Sequence, residues 1–139
     1  MKIFRLRFVI GSLAVALAFV TNAKPLDERD LASKIVGIWM VHADEYGPLL
    51  KGGLQIYRAD KTFTDNGAIG SGSRNLDVQV DGKWWLEGDV LYEEVTKSSL
   101  PELVPIGRRF HDTIVAISEE EMLYRDEDGK DHLLTRFKK

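Results

Sequence analysis

The 139-residue sequence contains no cysteine. Disulfides, a lipidated N-terminus and a thiolate nucleophile are all excluded, so the core must carry the stability alone. There is no basic cluster either. Lys and Arg total 19 against 22 Asp and Glu, a formal charge of −3. That balance argues against nucleic acid and anionic membrane surfaces as partners. No Gly-x-Ser-x-Gly elbow occurs, which removes the usual strand-to-helix setting of a serine nucleophile. Nothing between the extended segments is long enough for a crossover helix, so a parallel α/β sheet is excluded.

One apolar run stands apart from the rest. Lys2, Arg5 and Arg7 precede the uncharged stretch Phe8–Val20, and the small residues Thr21 and Ala23 sit at positions −3 and −1 before Lys24. That order is the pattern of a cleavable secretory signal peptide, and the run is shorter than the roughly 20 residues of a membrane span. The expected division is therefore 1–23 signal peptide and 24–139 a single domain, cut after Ala23. The mature chain keeps 16 basic and 22 acidic side chains, a formal charge of −6. A periplasmic or secreted location follows, with no membrane anchor after cleavage.

The mature part opens on one helix candidate. Asp27 is placed to cap it, Leu31, Ile35 and Val36 recur at helical spacing, and Gly37 ends it. Short extended segments follow at 38–44, 53–59, 62–64, 76–80, 83–87, 90–96, 108–118, 122–126 and 132–137. Turn chemistry separates them at 45–48, 59–61, 65–67, 81–82, 88–89 and 126–129. Asp81-Gly82 and Asp128-Gly129 read as tight hairpins, because such residues tolerate positive φ. Two connections, at 71–75 and 97–105, read as longer and looser. The glycines at 67, 70 and 72 lack the strand-then-helix setting of a phosphate loop, so they read as a hairpin tip. The predicted fold is all-β: an antiparallel up-and-down barrel of about eight strands preceded by a short N-terminal helix. Closure removes the exposed edges, and a two-sheet sandwich is the alternative.

Adjacent tryptophans test the strand register. In Lys83-Trp-Trp-Leu-Glu87 the face of Trp84 and Leu86 is apolar, whereas Trp85 shares a face with two charges. Alternation sends Trp84 inward and Trp85 outward. It also groups Trp39, Val41 and Ala43 on one face of the first strand, against Ile38, Met40 and His42. Both aromatic strands begin with Gly-x-Trp, at Gly37–Trp39 and Gly82–Trp84.

A helical turn leading into Gly-x-Trp, followed by an antiparallel meander, resembles the lipocalin (calycin) superfamily, and in particular the small bacterial lipocalin-like domains that follow signal peptides. The stretches that carry the resemblance are IVGIW at 35–39, YRADKTFT at 57–64, GKWWLEGDVLY at 82–92, LYRDEDGK at 123–130 and LLTRF at 133–137, in family order. The chain is shorter than the classical members and lacks their disulfide and C-terminal helix. The resemblance implies a binding protein rather than an enzyme. It also implies an arginine from the last strand packed over the first-strand tryptophan, which by position is Arg136 over Trp39.

Little else suggests chemistry. His42, His111 and His132 share no ligand spacing and read as surface residues, whereas zinc needs three or four convergent ligands. The acidic stretch at 126–131 lacks the twelfth-position acid of a calcium loop and reads as a hairpin turn. Glu93 and Glu94 face opposite sides of a strand, so they do not form a catalytic dyad. No catalytic residue, metal or cofactor is expected. The aromatics Tyr57, Phe63, Tyr92, Phe110 and Tyr124 are the candidate lining of a ligand pocket, since such pockets combine apolar walls with a few polar groups. The combined expectation is an exported monomer that binds a small apolar or amphipathic molecule. The alternative is an envelope protein-binding or inhibitor module that uses an outer surface containing Trp85, Ile38 and Met40.

Overall fold

A computed structural model describes residues 27–42, 50–71 and 73–138. Residues 1–23, expected to form the signal peptide, Ala43, the turn expected at 45–48 and Gly72 lie outside these residues. The helix forms where its cap predicts. In α1 (Glu28–Ile35) the Asp27 side chain accepts a hydrogen bond from the Arg29 N–H at 3.1 Å, satisfying one of the free donors of the first turn. Leu31 and Ile35, one turn apart, are fully buried.

Eight strands follow: β1 (Gly37–Val41), β2 (Leu50–Tyr57), β3 (Thr62–Ser71), β4 (Arg74–Glu87), β5 (Val90–Ser98), β6 (Arg109–Ile117), β7 (Glu121–Arg125) and β8 (Asp131–Arg136). Each pairs antiparallel with the next, and β8 pairs back onto β1 through Trp39↔Arg136 and Met40↔Thr135. The sheet is a closed barrel, not a sandwich. Among the described residues no helix is long and apolar enough to cross a membrane.

Several sequence expectations need correction. The segments at 76–80 and 83–87 are one strand, and Asp81-Gly82 is not a hairpin but lies in the middle of β4. A register shift against β5 falls there, and Gly82 packs so close to the Phe63 ring and the Glu94 carbonyl that no Cβ would fit. The glycine serves close packing rather than a turn. The 65–67 separator likewise lies inside β3, which runs on from Thr62 to Ser71. The looser connection expected at 71–75 is taken up largely by strand, since β3 and β4 stay paired through Gly70↔Asn75 and Ser71↔Arg74. The turn at 126–129 is real: Gly129 sits at φ +82° and donates to the Asp126 carbonyl at 3.0 Å.

Period-two alternation places the core. Trp39, Tyr57, Phe63, Val80, Trp84, Leu91, Phe110, Met122, Tyr124 and Leu134 point inward and are buried. Trp84 is 1% exposed, with its Nε1 donating to the Arg58 carbonyl at 3.0 Å. Trp85 faces outward as expected.

Candidate functional site

The two ends of the barrel differ. At the end where β1 begins, α1 packs against β4 and β6. Trp39 Nε1 donates to the Ile35 carbonyl at 2.8 Å. The Arg136 guanidinium lies 4.1 Å from the centre of the Trp39 ring. It donates to the carbonyls of Lys34 (2.6 Å), Val36 (3.0 Å) and Glu119 (2.8 Å). One cation thus covers the ring and satisfies carbonyls at the C-terminal end of α1 that no helical partner reaches. Gly37, at φ +149°, makes room for it, since a Cβ there would strike the guanidinium.

No protein-family model and no curated protein matches the chain. Its backbone is similar to the crystal structure of a lipocalin-like protein from Bacteroides uniformis. The TM-score is 0.53 at 13% identity, over 75% of this chain and 99% of that one. A second similar structure, an uncharacterized protein from Bacteroides eggerthii, gives 0.46 at 12% identity, over 73% and 98%. The fold is lipocalin-like.

At the opposite end of this lipocalin-like barrel lie residue 73 and the 99–108 and 126–130 connections. Leu76 (50% exposed), Leu103 (45%) and Ile106 (64%) border it, an apolar rim in contact with solvent. Inside the barrel, four of the five pocket candidates come together. Tyr57 lies 6.4 Å from Phe63 and meets the Trp84 ring edge-on at 5.9 Å. Phe110 and Tyr124 are buried in the same core. Tyr92 does not join them. It stands on the outer wall, stacked on Trp85 at 5.4 Å with the rings 8° apart, and 5.9 Å from His111. Alternation carries the reason: Leu91 and Glu93 take the inward positions of β5.

The interior also holds acids that the sequence analysis did not place there. Glu93 and Asp112 are buried, and the Tyr57 hydroxyl donates to Glu93 at 2.5 Å. Burial, and then the negative charges of Glu93, Asp65 and Asp112, push the Tyr57 pKa well above its ordinary value. The separation of Glu93 from Glu94 is as expected, since Glu94 lies outside and pairs with Arg109 at 2.5 Å. Leu91, Glu93 and Val95 share a face, so the buried position of Glu93 was readable from spacing.

His132 corrects the surface reading of the histidines. It is buried, bonded to Asp126 at 2.7 Å and stacked on Tyr124 at 5.2 Å. Asp126 in turn accepts from the backbone N–H groups of Asp128 and Lys130, both at 2.9 Å. His42 bonds Thr135 at 2.9 Å, and His111 is exposed near Glu127. Arg125, on the face opposite Tyr124, points out to Asp131 at 2.7 Å. Among the described residues no group of His, Asp or Glu is arranged to hold a metal.

On the outer wall, the row Trp85–Tyr92–His111 runs across β4, β5 and β6. Arg109 lies 5.9 Å from the Trp85 ring, and Glu87 accepts from Trp85 Nε1 at 3.2 Å. Ile38 and Met40 sit on β1, three strands around the barrel, and form a separate patch from Trp85.

Proposed function

We propose that the chain is an exported binding protein that takes a small apolar or amphipathic molecule through the open end of its barrel, and that it binds without catalysing. The observation that carries the reading is the contrast between the ends. One is closed by α1 and the Arg136–Trp39 contact. The other presents Leu76, Leu103 and Ile106 to solvent, and exposed apolar groups gathered at an opening favour a ligand entry. Behind that rim a ligand meets the aromatic walls of Phe63, Phe110 and Tyr124, with the Tyr57 hydroxyl and Glu93 as polar groups, a composition suited to an amphipathic molecule.

Export rests on the order of charge, apolar run and small residues in 1–23. Native mass spectrometry of the protein purified from its own periplasm tests both parts. The expected species begins at Lys24 and carries a small molecule that organic extraction removes and a fluorescent fatty-acid probe replaces. A chain that retains residues 1–23 refutes the export reading, and one that neither carries nor takes up an apolar probe refutes the binding reading. A second reading, a protein partner docking on the outer wall, is favoured by the Trp85–Tyr92 stack, since tryptophan is over-represented among interface hot spots. On that reading Trp85→Ala abolishes partner capture while the barrel keeps its stability.

A further inference from the structure

A hollow of about 430 Å³ lies against β2, β3 and β4. It belongs to the outer wall. Asn66 pairs with Gln79 and Ala68 with Asp77, so these four side chains share one face, whereas Phe63 and Val80 on the other face are buried in the core. None of the interior aromatics lines it.

Glycine shapes the floor. Gly53 stands opposite Gly67 in the β2–β3 register, and a Cβ on Gly53 would run into the Asn66 carbonyl. Gly52, at φ +108°, lies where the β2–β3 register shifts between Leu50 and Gly53. A bulge bends a strand and turns its backbone, and bare glycine backbone lets a ligand approach closely.

The described residues that line the hollow are polar or small, and none of them is a cation. Neither the Asn66 amide nor the Asp77 carboxylate is hydrogen-bonded to another described residue. Gln79 gives its Nε2 to Asp81 at 3.0 Å and keeps its amide oxygen. Ser99 Oγ accepts from the Gln79 N–H at 2.9 Å and keeps its own hydrogen to donate. The site therefore offers a carboxylate that accepts two hydroxyls, two amide oxygens, an amide NH₂ and a hydroxyl. An anionic ligand would meet the Asp77 carboxylate, with the Asp81 carboxylate just behind Gln79. Adjacent hydroxyls on a neutral ring match both the acceptors and the donors, and the volume falls within the range of about 300–1,000 Å³ for small-ligand sites. We propose that this hollow is a binding site for a neutral, hydroxyl-rich ligand of the carbohydrate type, separate from the barrel interior.

Amide NMR of the purified protein, titrated with neutral gluco- and chito-oligosaccharides and, in a separate arm, with spermidine, tests the proposal. The expected result is oligosaccharide-induced shifts confined to the amides of Asn66, Gly67, Asp77, Gln79 and Ser99. Asp77→Ala should weaken the titration by about tenfold, the loss of one charge-assisted contact. Ala68→Trp fills the hollow from the outer face and should abolish the shifts while uptake of an apolar probe by the barrel persists, so this site and the interior are tested apart. Three results overturn it: no oligosaccharide moves these amides, the shifts survive both Ala68→Trp and Asp77→Ala, or spermidine alone produces them.

Discussion

Replacing Arg136 by alanine probes the closed end of the barrel at its centre. The guanidinium lies 4.1 Å from the Trp39 ring, and two of its three hydrogen bonds, to Lys34 and Val36, are partly buried. The cation–π contact contributes about 1 kcal/mol at such a half-shielded site. The two bonds add about 1 kcal/mol each, because water regains part of what is lost when the side chain goes. The third bond, to Glu119, is exposed and counts for little. Arg136→Ala should therefore destabilise by about 3 kcal/mol, a large share of a typical domain stability of about 5–15 kcal/mol, and lower the melting temperature by roughly 10 °C. Arg136→Lys keeps the charge over the ring but cannot reach three carbonyls with one planar fork, and should recover only about 1 kcal/mol. Urea unfolding followed by tryptophan fluorescence measures both variants. An alanine loss under about 1 kcal/mol, or a lysine variant as stable as the parent, refutes the reasoning.

The paired tryptophans should separate cleanly in the same assay. Trp84→Ala removes a buried side chain and should cost about 3–5 kcal/mol, whereas Trp85→Ala should cost about 1 kcal/mol; similar losses would contradict the register of β4. Tyr57 gives a pH test. Its native pKa is raised above the ordinary value of 10.0, so the folded state keeps a proton that the unfolded chain releases. That contribution is intact below about pH 10 and is lost as pH rises from there through the native pKa. Tyr57→Phe should flatten this alkaline fall in stability, measured by denaturant titration at successive pH values; an unchanged slope would exclude Tyr57 as its source.

Period two was the more dependable guide in this sequence, and turn chemistry the less dependable. Val78, Val80, Gly82, Trp84 and Leu86 alternate without interruption along β4, straight through the Asp81-Gly82 pair that reads locally as a hairpin. Pairing on both sides overrides the local preference: Asp81 accepts from Thr64 Oγ1 at 2.7 Å and from Gln79, so its side chain is occupied across the sheet. Asp128-Gly129 keeps its turn because no strand flanks it on both sides in register. The same alternation held the inward positions of Glu93 and His132, and residue type obscured them, since acids and histidines are read as surface groups. Tyr92 was the reverse case, an aromatic assigned to the interior by type although its place in β5 faces it outward. The hollow on β2 to β4 had no sequence signal beyond scattered glycines, because its concavity arises from a bulge and from strands brought together in space.

The β1–β8 seam has a consequence for solubility. Seven of the pairings join strands that follow one another in the chain, whereas this one unites residues 39 and 136 through only two register pairs. If the seam parts, the barrel becomes a curved sheet with two raw edges, each a row of unpaired N–H and C=O groups ready to recruit a second molecule. Arg136 bonds the carbonyl of Val36 just before β1, while Phe137 donates to the Ile38 carbonyl at 2.8 Å just after β8. Those contacts hold the hoop closed from both sides. The first damage from weakening them is thus association: chains join edge to edge at concentrations where most of the core is still folded.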